Sequence, residues 1–181
     1  MDGLFSGYAS LFGVPDLGRD VVAPGAFAET LRARGPGGVR MLWQHDPAEP
    51  IGRWLSLAED ARGLRVEGCL NLAVQRTREI DALMREGAVD GLSIGFRTVR
   101  AAPDRAGYRH LRALDLWEIS LVTFPLQPGA RTAGAEPAGL AAEIRSLARR
   151  LAPRRVPDLR TGPPARAQGR PAIRLRPAAR A

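Results

Sequence analysis

The chain has one cysteine, Cys69, and no lysine, so that all 27 basic residues are arginine. A single thiol excludes an intrachain disulfide framework and a cysteine-based zinc site, and it is typical of a protein from a reducing compartment. Long apolar runs are also missing, since none reaches the ~18–20 residues of a membrane-spanning helix. The first eight residues are neither basic nor continuously apolar, so we expect no secretory signal there.

Aromatic residues are missing from residues 131–181, which hold seven of the 15 prolines, 12 arginines and three acidic residues, a net charge of +9. Residues 1–130 hold 15 arginines and 16 acidic residues, a net charge of −1. A segment such as 131–181 cannot bury enough apolar surface to offset the entropy of ordering it. We therefore predict a folded domain over 1–130 and a mostly disordered basic tail over 131–181.

One segment of this tail has a helical pattern. Leu140, Ile144, Leu147 and Leu151 recur at intervals of four, three and four residues. That spacing predicts a short amphipathic helix near 138–152, which would dock on the domain or on a partner.

The arginine content has two explanations, coding bias in a GC-rich genome or selection for arginine chemistry such as non-specific phosphate binding.

Residues 1–130 have the pattern of short strands with a few helices. Apolar runs of strand length are separated by turns rich in glycine, proline and aspartate, without regular β-α-β alternation. We predict a mainly β fold with peripheral helices (α+β), built as a closed or nearly closed and mostly antiparallel β-barrel. The predicted strands are 4–12, 39–44, 51–58, 64–72, 92–99, 108–114 and 116–124, and the predicted helices are 24–33 and 73–84.

Ser93 lies within the run Gly91-Leu92-Ser93-Ile94-Gly95. The run matches the G-x-S-x-G pattern of the nucleophile elbow, but that elbow needs a strand before the serine and a helix after it. Here the predicted helix precedes the serine and a strand follows, so the pattern does not indicate an α/β-hydrolase. Two interpretations remain: a nucleophile whose small neighbours let a peptide approach, or an ordinary strand serine between glycines.

Only two histidines are present, His45 and His110. A serine hydrolase needs a base that titrates near neutral pH, and histidine is the usual choice. His45 follows the apolar strand 39–44, at a strand end where active sites are commonly built, although a loop histidine bonded to backbone would fit as well. His110 lies between Arg109 and Arg112 in a predicted strand, which is typical of an exposed strand residue. His45 is the better candidate for the base.

Glu118 is the only charged residue in 116–124, the most apolar predicted strand. Two-residue alternation places it on the same face as Ser120, Val122 and Phe124. A carboxylate on an apolar face is costly unless it is paired. A histidine N–H would satisfy it and would be oriented by it in return, whereas a solvated face or an arginine partner would explain the residue equally well.

Several separate blocks of the sequence resemble the prohead (procapsid maturation) proteases of tailed bacteriophages. They follow one another in order across residues 3–130, and their combination is more specific than any single block. Two stretches depart from the family pattern, Leu126-Gln127-Pro128, where Ala-Asn-Pro is expected, and 71–78. The blocks that carry the resemblance are 7–13, 20–27, 44–46, 50–52, 60–64, 91–96 and 116–125.

The resemblance implies a serine endopeptidase that cleaves scaffold from the capsid protein during procapsid maturation and often cleaves itself. It implies a fold similar to that of the herpesvirus assembly proteases, a β-barrel ringed by helices. The family pattern assigns the nucleophile to Ser93, the base to His45 and the third member to Glu118, where the herpesvirus enzymes use a second histidine. No metal or other cofactor is implied. We expect the oxyanion-binding N–H groups to come from the segment 126–127.

Partners and location follow from the same resemblance. We expect the major capsid protein with its scaffold segment, and the enzyme itself, as substrates, and a homodimer as a further expectation. The location would be the bacterial cytoplasm, inside the assembling procapsid of a phage or prophage, without membrane contact. Two alternatives stay open: a capsid scaffold or assembly chaperone without essential proteolysis, and a nucleic-acid-binding protein that uses the arginine tail. The tail has no aromatic residue on which a base could stack, so nucleic-acid binding there would be weak.

Overall fold

The computed structural model describes residues 3–133, so the predicted helix near 138–152 and all of the predicted basic tail after residue 133 lie outside the described residues. Within this range every predicted strand and helix is found, although the last two predicted strands form one long strand and two short strands are additional. A 3-10 turn occupies Pro36–Gly38. In chain order the elements are β1 Leu4–Leu11, β2 Asp20–Val22, α1 Ala28–Arg34, β3 Arg40–Trp43, β4 Asp46–Glu59, β5 Gly63–Leu70, α2 Gln75–Arg85, β6 Gly91–Pro103, β7 Arg109–Val122 and β8 Thr132–Ala133.

All of these strands belong to one sheet, in the order β2-β7-β3-β4-β5-β1-β8. The strand β6 pairs with β7 along its whole length, on the edge opposite to β2 and β3. The prediction of a mainly β fold with peripheral helices is confirmed. The prediction of a mostly antiparallel sheet is wrong, because β2 and β3 both run parallel to β7 and the sheet is mixed.

Helix α1 explains the parallel pairs. It connects β2, which pairs with the first residues of β7, to β3, which pairs with the last residues of β7. Its Thr30 hydroxyl donates to the Leu114 carbonyl (2.6 Å) and accepts from the Leu116 N–H (3.2 Å), which fixes the helix to the edge of β7 between β2 and β3. The chain thus runs along one edge of β7, from β2 through α1 to β3, and both strands keep the direction of β7.

The sheet curls into a half-barrel, whereas the sequence predicted a closed or nearly closed barrel. Residues 130–132 link its β1 edge to the beginning of β6. The Tyr8 N–H donates to the Arg131 carbonyl (3.0 Å), and the Leu92 N–H donates to the Ala130 carbonyl (2.9 Å). The short strand β8 then pairs with β1. This segment holds the beginning of β6, the strand that carries Ser93, against the rest of the sheet.

The hydrophobic core fills the inside of the curl and extends under α1 and α2. Burying each large apolar side chain stabilises the fold by roughly 1.5–3 kcal/mol. The largest fully buried side chains are Phe27, Met41, Ile51, Leu64, Ile80, Leu92, Leu111, Leu116, Ile119 and Leu121.

Candidate active site

Ser93 is the third residue of β6 and is 8% exposed. Helix α2 precedes its strand, so the order expected of a nucleophile elbow is absent here, as the sequence indicated. In the antiparallel pairing of β6 with β7, Ser93 lies directly opposite Ser120. Opposed residues of such a pair have Cβ atoms about 4.5–5.5 Å apart and present their side chains on the same face. Ser93 and Ser120 are therefore neighbours on one face.

A β-bulge places Glu118 on this same face. The pairing steps from Gly95–Glu118 to Phe96–Leu116, so that Trp117 is an extra residue in β7. In an unbroken strand Glu118 would share the core-facing side of Leu116. The extra residue reverses this alternation and turns the carboxylate to the face of Ser93, in the way that bulges re-aim side chains beside active sites. Two-residue alternation did predict that Glu118 shares a face with Ser120.

Phe124 was predicted on that face as well, but β7 ends at Val122. The Phe124 side chain is 89% exposed in the following segment.

His45 lies in the two-residue turn between β3 and β4 and meets Glu118 there. Its Nδ1 is 2.5 Å from Glu118 Oε1, and the side chains are 43% and 13% exposed, respectively. The turn has positive φ at both Gln44 (54°) and His45 (63°). Hairpin turns with this backbone favour glycine and asparagine, so two longer side chains here carry a conformational cost of the kind that collects at functional sites.

Ser120 connects the histidine to the carboxylate a second time. Its hydroxyl donates to Glu118 Oε2 (2.7 Å) and accepts from the backbone N–H of His45 (3.1 Å). Ser120 is 0% exposed. The three residues thus form a closed set of hydrogen bonds, with one carboxylate oxygen on the imidazole and the other on the buried hydroxyl.

Gly95 provides the room for this carboxylate. A Cβ at position 95 would lie 2.0 Å from Glu118 Oε1, well inside van der Waals contact. From the sequence alone, Gly95 is only a small neighbour of Ser93, and Ser120 has no assigned role. Both roles depend on the register between β6 and β7, and the only sequence signal was the spacing of Ser120 two residues after Glu118.

The pKa of His45 is raised above its usual 6.5, chiefly because Glu118 accepts a hydrogen bond from the ring and secondly because of the carboxylate's charge. Partial burial of the ring opposes this shift. Since Nδ1 faces Glu118, Nε2 is the ring nitrogen left to exchange a proton with another group.

Of the three predicted site residues, the structure joins His45 and Glu118 through a hydrogen bond and sets Ser93 on the adjacent strand. Within residues 3–133 the Ser93 hydroxyl makes no hydrogen bond to either of them. Bonds between nucleophile and base are often loose before substrate binds. Among residues 3–133 the Glu118 carboxylate is paired with His45 and Ser120 and with no arginine, so the structure supports the histidine partner among the explanations that the sequence left open.

The second histidine occupies a different place. His110 Nε2 lies 2.9 Å from Asp104 Oδ2, beside the turn that joins β6 to β7. It is eight residues from Glu118 along β7, roughly 26 Å at the rise of an extended strand. The structure therefore brings His45, and not His110, to Glu118.

The segment 126–127 is tied to β1. The Gln127 side chain accepts from the Leu11 N–H (2.6 Å) and donates to the carbonyls of Leu11 (3.1 Å) and Val14 (2.8 Å). Its place in oxyanion binding stays a prediction. Among the described residues no group of three or more His, Cys, Asp or Glu is placed to hold a metal ion. No helix within 3–133 is both long and apolar enough to cross a membrane.

Comparison with known proteins finds a matching family model and similar phage proteins. The family model described as "Caudovirus prohead serine protease" matches residues 1–141. The prohead protease of Enterobacteria phage HK97 is 38% identical over 128 residues, which are 68% of this chain and 56% of that protein. The chain thus spans about half the length of this curated relative.

Two solved structures align with much of the chain, and the first is similar in fold. The bacteriophage T4 capsid assembly protease is 10% identical, with a TM-score of 0.53 over 67% of this chain and 89% of that one. The KSHV protease is 13% identical, with a TM-score of 0.48 over 71% of this chain and 63% of that one.

Proposed function

Because the chain belongs to the Caudovirus prohead serine protease family, we propose that it is a serine endopeptidase that cleaves scaffold from the capsid protein during procapsid maturation. The proposed catalytic residues are Ser93, His45 and Glu118. The single observation that carries the assignment is the 2.5 Å contact between His45 Nδ1 and Glu118 Oε1, on the face that the strand register gives to Ser93. A histidine held by a carboxylate beside a serine is the constellation that activates a hydroxyl nucleophile.

In the proposed mechanism His45 Nε2 takes the proton of Ser93 Oγ as that oxygen attacks the scissile carbonyl carbon. Glu118 holds Nδ1–H, which fixes the tautomer, and it stabilises the imidazolium that forms. The imidazolium then protonates the leaving amine, and the peptide bond breaks to leave an acyl group on Ser93. Water attacks this ester with His45 again as base, and Ser93 regains its proton.

The tetrahedral intermediates carry a negative oxygen that needs hydrogen-bond donors already in place. Backbone N–H groups are the expected donors in a site built on strands, and the segment 126–127 is our candidate. It follows β7 after residues 123–125 and is fixed to β1 through the Gln127 side chain. That fixation would keep its backbone in a defined position during the reaction.

The proposed substrates are the major capsid protein with its scaffold segment and, in the tail, the enzyme itself. The names of the relatives support this choice, since one is a prohead protease and another a capsid assembly protease. Such an enzyme acts in the bacterial cytoplasm, inside the assembling procapsid, and a homodimer is part of the proposal.

The test is cleavage of a scaffold–capsid fusion by the purified full chain, followed by gel electrophoresis and intact-mass spectrometry. The unchanged protein should release the scaffold segment, and Ser93→Ala should not. Losing one member of such a triad typically lowers kcat by about 10⁴-fold or more. Retention of the circular dichroism spectrum and melting temperature in Ser93→Ala separates lost chemistry from lost folding.

Other outcomes favour the alternatives. A folded full chain that binds the fusion without cutting it would indicate a scaffold or assembly chaperone. Salt-dependent binding of DNA by the full chain, but not by a chain lacking the tail, would indicate a nucleic-acid role for the arginines.

A further inference from the structure

The fully buried Ser120 is hydrogen-bonded to both residues of the His45–Glu118 pair. We propose that Ser120 is a positioning residue of this site, whose hydroxyl fixes the Glu118 carboxylate and the His45 backbone together. The proposal rests on the proposed function, because it concerns how the same histidine is presented to Ser93. Ser120 does not touch the reacting atoms; it acts through its two neighbours.

The hydroxyl's hydrogen bonds are fully assigned by chemistry. A serine has one proton to donate and lone pairs that accept. A carboxylate can only accept and a backbone N–H can only donate, so the proton points to Glu118 Oε2 (2.7 Å) and the oxygen receives the His45 N–H (3.1 Å). Since Ser120 is 0% exposed, bulk water does not reach its hydroxyl to replace either hydrogen bond.

The bond to Oε2 sets the angle of the carboxylate. The last torsion of a glutamate is broad, so its two oxygens exchange places easily unless a partner holds one of them. With Oε2 on Ser120 and the space above Gly95 occupied by the carboxylate, Oε1 faces His45 Nδ1 at 2.5 Å. The serine therefore decides which oxygen meets the imidazole and in which plane.

The bond from the His45 N–H acts on the turn. Gln44 and His45 both have positive φ, a backbone conformation that is unfavourable for most residues other than glycine and asparagine. Both residues of the turn are hydrogen-bonded to β7. The Gln44 N–H donates to the Leu121 carbonyl (3.0 Å), and the His45 N–H donates to the Ser120 hydroxyl. Without the hydroxyl one of these ties is lost, at the residue that carries the imidazole.

Removal of the hydroxyl in Ser120→Ala should lower kcat about 10–100-fold with little change in KM, because misplacement of a base by about 1 Å costs on that order. The same variant should return the pKa of His45 towards 6.5, since the hydrogen bond from its ring to Glu118 is the main cause of its rise. Ser120→Cys keeps a weak donor and acceptor and should fall between the two proteins in both measurements.

Thr30→Val is the matched control. Thr30 is also buried (5% exposed) and its hydroxyl also makes two hydrogen bonds, to Leu114 and Leu116 of the same strand β7. Valine keeps the shape and removes both bonds, so stability should fall as it does in Ser120→Ala. The rate and the pKa of His45 should stay as in the unchanged protein.

The experiment measures two quantities on the full chain. Steady-state cleavage of the scaffold–capsid fusion gives kcat and KM, and NMR titration of the ring protons gives the pKa of His45. The chain has two histidines, so comparison with His110→Ala assigns the ring signals. If Ser120→Ala melts below the assay temperature, Ser120→Cys carries the comparison.

A fall in kcat together with a lower pKa of His45 in Ser120→Ala supports the proposal. An unchanged pKa overturns it, whatever the rate, and so does an effect no larger than that of Thr30→Val. If no protein cleaves but the pKa still falls, the proposed function fails while the positioning contact stands.

Discussion

His45 Nδ1 and Glu118 Oε1 lie 2.5 Å apart although 73 residues separate them in the chain. Three features of the fold produce this contact: the strained turn after β3, the bulge at Trp117 and the absence of a side chain at Gly95. Of these features, the absence of a side chain at Gly95 can be tested by a single substitution, and so can the two residues in contact.

The two histidines should differ in importance. His45→Ala should abolish cleavage of the fusion, because it removes the proposed base from Glu118. His110→Ala should keep near-normal kcat/KM, since its partner Asp104 lies beside the distant β6–β7 turn. Steady-state assays of both variants compare them directly, and an essential His110 with a dispensable His45 would refute the choice of base.

Glu118→Gln should change the pH profile as well as the rate. His45 must be neutral to accept a proton, and its raised pKa places the acid limb of kcat/KM above pH 6.5. Glutamine removes the charge and the carboxylate acceptor, so the pKa should fall and the acid limb should move to lower pH. The plateau should drop by up to about 10⁴-fold, since the amide also permits the wrong tautomer.

The full pH profile of this variant, measured beside that of the unchanged protein, checks both effects. An unmoved acid limb and plateau would place the third member elsewhere. Asp46 and Asp115 would then be the next residues to test, although Asp46 bonds to the Ala48 N–H and Asp115 to Arg34.

Gly95→Ala should disable the site without unfolding the domain. The added Cβ would lie 2.0 Å from Glu118 Oε1 and would push the carboxylate away from His45. We expect a loss of about 10–100-fold in kcat and a lower pKa of His45 by NMR. Gly37→Ala is the matched control, since a Cβ there meets nothing within 4 Å. Equal activity of the two variants would contradict the role assigned to Gly95.

The sequence predicted much of this fold because its strands and helices have clear local patterns. Direction and register were harder. The charge at Asp115 divides the apolar pattern of β7 and led to two predicted strands, but Arg34 and Arg97 pair with it on the outer face and the strand continues. The parallel pairs depend on the path of α1 along the edge of β7, and the three residues of β2 are too few to stand out.

The candidate site was predictable in its chemistry more than in its geometry. A lone carboxylate on an apolar strand is costly unless it is paired, and a histidine partner was one of the explanations that this argument left open. The roles of Ser120 and Gly95 follow from the Trp117 bulge, which shifts the register by one residue. Nothing in the local pattern around Trp117 marks that shift, because an exposed tryptophan in a strand is compatible with regular pairing.

The last two predictions concern the basic tail. The chain pairs with β1 up to Ala133, and its residues 130–131 bond to β6 and β1. A truncation that tests the tail should therefore end after 133, and not at the boundary of 130 that composition suggested. We expect this truncated protein to cleave the fusion normally but to be poorly retained in assembling procapsids, because the removed segment holds 11 of the 27 arginines.

We also expect the enzyme to cut within its own tail. The composition of the tail favours an extended chain that a protease can bind without first unfolding it. Attachment to the domain raises its effective concentration to roughly millimolar, so that little affinity is needed. Intact-mass spectrometry should show loss of a C-terminal piece in the active protein and none in Ser93→Ala. A full-length active enzyme recovered from mature particles would contradict self-cleavage, and normal packaging of the protein truncated after 133 would contradict the role of the tail in retention.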